Sequence, residues 1–392
     1  MGPLDGITVV SLEQAVAAPF ASRQFADLGA RVIKVERPPL GDFARRYDET
    51  VQGLSSHFVW LNRSKESITL DLGHESARVV LRRLLTEADV FIQNLAPGAA
   101  ARLGFGADAL RAEHPRLIVC EISGYGATGP YRDKKAYDLL VQCEAGLVSV
   151  TGTSDEPAKA GISVADIAAG MYAYSSILAA LYQRTQTGVG TTLEVSLFEA
   201  LGEWMSYPAY YAAYGGTPPP RTGTSHATIA PYGPFAAGDG HQVNLGIQNE
   251  REWVAFCEVV LQRPELARDE RFATNSARVA HRSLLHDEIN AVFATLTIDE
   301  VSERLDQAGI ANARMNTMIE FWNHPQLAAR DRWREVESPV GRLRALRPPV
   351  TMEGVEPRMD PIPAVGQQTE AILRELGYSD ERITQLRDEL AI

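Results

Sequence analysis

Along the first two hundred residues the period of apolar and polar positions switches back and forth, which predicts strands alternating with helices. Ile7–Leu12 is a β-branched apolar run, Ala17–Leu28 has helical spacing, and Arg31–Glu36 alternates as a second strand. Gly29 stands at the predicted helix end, where a left-handed cap is wanted. A short strand Ile68–Leu70, a helix His74–Ala88, a strand Val90–Gln93, a helix around Ala107–Arg111 and a strand Leu117–Ile122 follow. Helices Asp166–Arg184 and Leu197–Tyr214 flank a further strand, Thr191–Ser196. Such alternation argues for an α/β domain with a largely parallel sheet. The pattern then breaks at Gly215-Gly216-Thr217-Pro218-Pro219-Pro220, a stretch that cannot continue a helix. Beyond it, Tyr232–Phe235 and Gln242–Ile247 read as strands and helical segments run to about Arg332. A Pro-rich stretch, Pro348 to Pro363, precedes a last helix, Gln368–Leu376. The expected organisation is a large domain over 1–215, a small one over 225–330, and a tail over 331–392 returning to the first.

Composition narrows the class. At 392 residues the chain exceeds the ~250–300 at which one core usually splits, in keeping with two domains. With 45% hydrophobic and 22% charged residues it is a globular composition, which excludes collagen, coiled coil and disorder. A formal charge of −12 excludes the broad basic face that nucleic acid or anionic membrane would need. The three cysteines are far apart and never in a C-x-x-C pair, so no disulfide framework follows and a reducing cytoplasm is expected. The eight histidines form no H-x-H or H-E-x-x-H, and no metal site is expected. No secretory pattern opens the sequence. The longest uncharged helical stretch, Ile167–Tyr182, falls short of the ~20 residues that span a bilayer and reads as a buried helix.

Few motifs offer chemistry. Gly124-Tyr-Gly126-Ala-Thr-Gly129 imitates a dinucleotide fingerprint, but Pro130 follows at once and a helix is plausible only from about Ala136. It reads first as a glycine-rich surface loop, with a nicotinamide-dependent oxidoreductase as the alternative. No P-loop and no G-x-S-x-G occurs. Asp166 places a carboxylate at the start of the apolar helix. It can cap that helix, or it can be a carboxylate kept ionised by the helix end and partly withdrawn from water, as a nucleophile would be; both can hold. Arg37, and the trio Arg132, Lys134 and Lys135, lie beside strand ends where open α/β sheets bind anionic ligands.

Taken together these residues resemble the family III CoA-transferases. The resemblance runs from Pro3-Leu-Asp-Gly-Ile-Thr-Val-Val through Leu28-Gly-Ala-Arg-Val-Ile-Lys-Val-Glu-Arg37, Asn62-Arg-Ser-Lys-Glu-Ser-Ile-Thr-Leu-Asp-Leu72 and Gln93-Asn-Leu-Ala-Pro-Gly98. It resumes at Ile122-Ser-Gly-Tyr-Gly, Ala136-Tyr-Asp138, Tyr232-Gly-Pro-Phe and Gly366-Gln-Gln-Thr-Glu-Ala-Ile-Leu-Arg-Glu-Leu-Gly377. It implies a large Rossmann-like domain built from both chain ends, a smaller inserted α+β domain, and an interlocked homodimer.

Residue by residue, the resemblance makes Asp166 the nucleophile. It puts CoA contacts at Val16, Ala17, Arg37, Leu70, Asp71, Leu72, Gly73, Asn94, Leu95, Ala96, Arg102, Lys135, Ala136 and Tyr137. Val16 stands where formyl-CoA transferase has a glutamine, and Gly73 where it has a lysine. The glycine-run loop of that enzyme is replaced by Gly223-Thr-Ser-His-Ala-Thr-Ile-Ala-Pro231, so oxalate and formate are not expected as substrates. The racemase branch of the family has a histidine at Tyr137 and a glutamate at Asn249, which favours transferase over α-methylacyl-CoA racemase here. The implied activity is transfer of CoA from a donor thioester, succinyl-CoA or another small dicarboxyl-CoA, to a carboxylic acid, with no tightly bound cofactor. Arg46 and Arg221 are candidate carboxylate readers, and a non-catalytic CoA-binding subunit is a further alternative.

Overall fold

The computed structural model describes residues 2–392, which divide into two compact units. The larger holds residues 2–147, 160–207 and 327–392; the smaller holds 148–159 and 208–326. The larger unit is organised by six parallel strands: β1 (Thr8–Leu12), β2 (Arg31–Glu36), β3 (Lys65–Thr69), β4 (Val90–Gln93), β5 (Ile118–Ser123) and β6 (Thr192–Ser196). Their order is β3-β2-β1-β4-β5-β6. The chain therefore leaves β1 toward one side of the sheet and returns at β4 on the other. A crevice opens at the carboxyl ends of those two strands, the place where such sheets bind ligands.

Strand burial follows from this layering. β2 is buried along nearly its whole length, Lys34 and Glu36 included, because a parallel sheet covered on both faces leaves no wet side. One apolar core joins Val10, Ile33, Ile68, Phe91 and Val119 of the sheet to Leu81 and Leu85 of helix Glu75–Thr86. Ile372, Leu373, Ile383 and Leu386 of two C-terminal helices, Thr369–Glu375 and Asp380–Asp388, complete it. The second of these helices is absent from the sequence reading. Arg31 ties the first to the sheet through Glu375 at 2.6 Å.

Several elements differ from expectation. The helix predicted over Leu197–Tyr214 is two, Leu197–Trp204 and Ser206–Gly215, because Pro208 lacks an N–H and its ring opposes the carbonyl four residues back. Pro208 instead sits in the first turn of the second helix, where proline is tolerated. The helix predicted from Asp166 starts two residues earlier and runs Val164–Thr187. At 24 residues it is long and apolar enough by composition to cross a membrane. It packs against helices Ala17–Asp27, Asp138–Glu144 and Leu197–Trp204 and against β5 and β6 as a layer of the larger unit. A hairpin, Trp333–Ser338 with Gly341–Leu346, lies in the tail where the sequence suggested no element.

In the smaller unit, strands Tyr232–Ala236, Gln242–Gly246 and Ala311–Arg314 form an antiparallel sheet. Helices Arg282–Phe293 and Ile298–Gln307 close its core around Phe235, Trp253, Phe256, Phe272 and Phe293.

Candidate active site

The connections that leave the carboxyl ends of β1 to β4 carry most of the residues picked out from the sequence. Val16 and Ala17 follow β1, Arg37 follows β2, Leu70–Gly73 follow β3, and Asn94–Ala96 and Arg102 follow β4. Asn94 clasps the loop after β1 across the crevice. Its Oδ1 accepts from Gln14 N at 2.9 Å, and its Nδ2 donates to Gln14 O at 2.9 Å. Val16, Ala17 and Leu70 are buried within the chain, so they form the wall rather than reach into solvent. The Asp71 carboxylate closes a turn by accepting from Gly73 N at 2.9 Å.

Cations on this edge are exposed and lightly held. The Arg37 side chain is 75% exposed, with its nearest carboxylate oxygen, on Asp71, 3.5 Å away. Arg102 is exposed and donates to the Pro97 carbonyl at 3.4 Å. Lys135 forms no ion pair among the described residues. Its neighbours are committed: Arg132 pairs with Asp133, while Lys134 pairs with Glu144 and lies over the Tyr131 ring.

The glycine loop departs from a dinucleotide fingerprint. It follows β5, away from the crevice, and the next helix opens only at Asp138. Gly124 is needed for close approach, since a Cβ there would sit 2.2 Å from the Ala136 Cβ. The loop thereby holds Lys135–Tyr137 against the end of β5.

Asp166 is the third residue of the long helix, not its cap. Ser163 precedes the first turn without a side-chain bond, and the capping is supplied from elsewhere. Asp138 Oδ1 accepts from Ala165 N at 2.8 Å and from Asp166 N at 3.3 Å, while Oδ2 accepts from Gln142 Nε2 at 2.6 Å. The Asp166 carboxyl is therefore free for other work. Its electrostatics are also opposite to expectation. Burial, and secondarily the charge of Asp138, push it up to about 7, so the surroundings outweigh the stabilising helix end.

One phenol, Tyr47, feels the charge of Asp166, and a second, Tyr137, lies near the first. Tyr47 feels the charges of Asp42 and Asp166 and the neighbouring Tyr137, and with burial as the main cause it is pushed up to about 12. Tyr137 is 67% exposed. One turn along the helix from Asp166, Gly170 meets the start of helix Ala17–Asp27; a Cβ there would lie 2.7 Å from the Ala17 carbonyl oxygen. This contact is what brings the wall formed by Val16 and Ala17 alongside the carboxylate. Asp42, Tyr47, Asp138 and Gln142 escape sequence reasoning, although Ala136-Tyr-Asp138 was a noted motif.

Two expected groups have other duties. The Arg221 guanidinium donates to the carbonyls of Ser149, Thr153 and Ser154, tying residues 148–159 into the smaller unit, and so is not a spare cation. Asn249 caps helix Glu250–Ala255 by accepting from Glu252 N at 3.0 Å. Within the loop 223–231, the carbonyls of His226, Ala227 and Ile229 face Arg282.

A doubly wound sheet with exposed cations beside its strand ends and a carboxylate at a helix start suits an α/β enzyme that takes an anionic ligand. Comparison with known proteins gives the family. The CoA-transferase family III model matches residues 4–369. Succinyl-CoA:glutarate CoA-transferase of Homo sapiens is 32% identical over 389 residues, covering 98% of this chain and 88% of that protein. Succinate–glutarate CoA-transferase of Agrobacterium fabrum is 34% identical, covering 95% and 96%. The crystal structure of a CAIB/BAIF family protein from Brucella suis superposes with a TM-score of 0.85 at 34% identity, covering 96% of this chain and 99% of that one. The chain belongs to CoA-transferase family III. It is a CoA-transferase, and CoA thioesters are its substrates.

Proposed function

We propose that this enzyme moves CoA from a small dicarboxyl-CoA, succinyl-CoA foremost, to an acceptor dicarboxylic acid, with Asp166 as the covalent carrier. The observation that carries the reading is the Asp166 carboxylate itself, released from capping by Asp138 and set beside the CoA-side wall. An oxygen of Asp166 attacks the donor thioester carbonyl; the C–S bond breaks, leaving an acyl–aspartyl anhydride and CoA thiolate. The thiolate attacks the aspartyl carbonyl, expelling the donor acid and forming an aspartyl–CoA thioester. The acceptor carboxylate then displaces the thiolate to give a second anhydride. Thiolate attack on the acceptor carbonyl releases the new thioester and restores Asp166. One thioester is exchanged for another, so no outside energy source or tightly bound cofactor enters the scheme. Arg37, Arg102 and Lys135 face the CoA phosphates in this reading. Val16, Ala17, Leu70–Gly73, Asn94–Ala96, Ala136 and Tyr137 shape the groove.

Dicarboxylate preference is supported by the names of the human and Agrobacterium relatives. Arg46 supports it as well: it is exposed, forms no ion pair among the described residues, and directly precedes Tyr47. With succinyl-CoA and a panel of acids read by mass spectrometry of the CoA products, C4–C6 dicarboxylates are expected to be converted fastest, ahead of oxalate and monocarboxylates. Arg46→Ala should raise the dicarboxylate KM about tenfold, the value of one charge-assisted hydrogen bond, and spare monocarboxylates. A monocarboxylate preference in the native enzyme would overturn the substrate class.

The reading includes an interlocked homodimer in the cytoplasm, with neither nucleic acid nor membrane as partner. Helix Ser206–Gly215 has no buried residue and exposes Tyr207, Tyr210, Tyr211 and Tyr214, an apolar surface suited to a second copy. Three widely spaced cysteines with no C-x-x-C pair suit a reducing compartment. Sedimentation at micromolar concentration should give a dimer; a compact monomer would contradict it.

A further inference from the structure

Behind the crevice lies a chain of buried charges that no step of the transfer uses. Glu13 follows β1, and its Oε1 accepts from Lys65 Nζ at 2.7 Å and Lys34 Nζ at 3.2 Å. Its Oε2 accepts from Ser11 Oγ at 2.8 Å and from Ser22 Oγ. Lys34 Nζ also reaches Asp42 Oδ2 at 2.8 Å, and Lys65 Nζ reaches the Pro19 carbonyl at 3.0 Å. The Asp42 N–H donates to Glu36 Oε1, and Glu36 is held in turn by Arg45 and Ser67. The side chains of Glu13, Lys34, Glu36 and Lys65 are essentially inaccessible to water. Burying an ion pair carries a desolvation cost that well-packed apolar residues avoid, and replacing such pairs is often neutral or stabilising. Stability alone is therefore a poor reason for this cluster.

Asp42 links this cluster to the turn and the short helix beside the site. Oδ1 accepts from Ala15 N at 3.1 Å and from Ala44 N at 2.9 Å. The first bond holds the turn that leads to Val16 and Ala17. The second caps the short helix Phe43–Arg46, which delivers Tyr47 toward Asp166. Ala15 has φ +61°, a left-handed conformation disfavoured for a residue with a Cβ, and so needs an anchor.

We propose that Asp42 is a positioning residue whose Oδ1 sets the Ala15 turn and Tyr47 in register with Asp166. The proposal rests on the transferase reading and adds a requirement to it: an acceptor atom at residue 42, whatever its charge.

Two charge-matched pairs test it. Lys34→Met with Asp42→Asn keeps an acceptor for Ala15 N–H and Ala44 N–H; Lys34→Met with Asp42→Leu removes it. Glu13 keeps Lys65 in both. The asparagine pair should hold kcat within about tenfold of the native enzyme, whereas the leucine pair should lose about 100-fold at a similar Tm, as ångström-scale misplacement does. Adding Ala15→Gly to the leucine pair should recover about tenfold in kcat with little change in Tm, because glycine takes positive φ without a Cβ penalty. Equal kcat in the two pairs would overturn the proposal. Failure of both pairs to fold would overturn it too, since the cluster would then be a stability element. The native chain run alongside separates the two readings. Its inactivity on every acyl-CoA and acid would sink the transferase reading, while an active native chain with equal pairs sinks only the role of Asp42.

Discussion

Replacing Asp166 by asparagine should lower CoA transfer by about three orders of magnitude or more while making the folded chain more stable above neutral pH. The first effect follows because the amide cannot form the anhydride or return as a leaving carboxylate. The second follows from the raised pKa. An aspartate at 3.8 in the unfolded chain and about 7 in the folded one binds a proton more tightly when folded. It therefore costs nothing below pH 4, costs progressively more between about 4 and 7, and carries its full penalty above. At ~1.4 kcal/mol per pH unit the penalty is bounded by about 4 kcal/mol, less what the exposed part of the carboxyl recovers from solvent. Asparagine carries no charge to desolvate. The Tm advantage of Asp166→Asn over the native enzyme should thus be small at pH 5 and largest at pH 8. Asp166→Ala should behave alike, because the cap belongs to Asp138. Equal Tm differences at pH 5 and pH 8 would contradict a half-buried carboxylate that binds its proton more tightly in the folded chain.

Asp138→Asn should move the pH dependence of the reaction without removing it. Only the ionised form of Asp166 attacks, so kcat/KM for the donor in the native enzyme should fall roughly tenfold per unit below about pH 7 and level off above. Asp138 contributes the smaller part of the upward shift, burial the larger. Asparagine keeps an acceptor for Ala165 N–H but removes the charge, so the acid limb should move to lower pH and stop short of the usual aspartate range. Asp138→Ala should move the limb the same way and also lose about 1 kcal/mol, because the first-turn N–H groups lose their acceptor. An unchanged midpoint in Asp138→Asn would mean that burial alone sets the Asp166 pKa.

The sheet was legible because its strands are apolar runs between helical segments, and the positions read for β1, β2, β4 and β5 agree with the structure to within about a residue. Asp166 was legible because a charge at the edge of a long apolar run is conspicuous. Its capping partner was not, since Asp138 lies 28 residues earlier and reaches it through tertiary packing. Lys34 and Glu36 read as the wet positions of an alternating strand. They are buried because the sheet is covered on both faces, and nothing in their spacing reveals that they answer Glu13, Asp42 and Arg45. β3 was placed three residues late for the same reason: its first two residues, Lys65 and Glu66, look like loop but pair with Glu13 and Arg31. Arg221 looked like a spare cation because the three carbonyls it holds belong to a segment some 70 residues upstream.

The covalent role of Asp166 can be read directly by mixing the enzyme with succinyl-CoA and no acceptor, trapping with hydroxylamine or borohydride, and mapping the digested peptides by mass spectrometry. The account predicts that the peptide containing Asp166 gains an aspartyl hydroxamate, or is reduced to the corresponding alcohol, in proportion to the acyl-CoA supplied. It also predicts that Asp166→Asn, verified free of deamidation, shows neither. An unmodified Asp166 peptide from enzyme that transfers CoA at its normal rate would contradict the account.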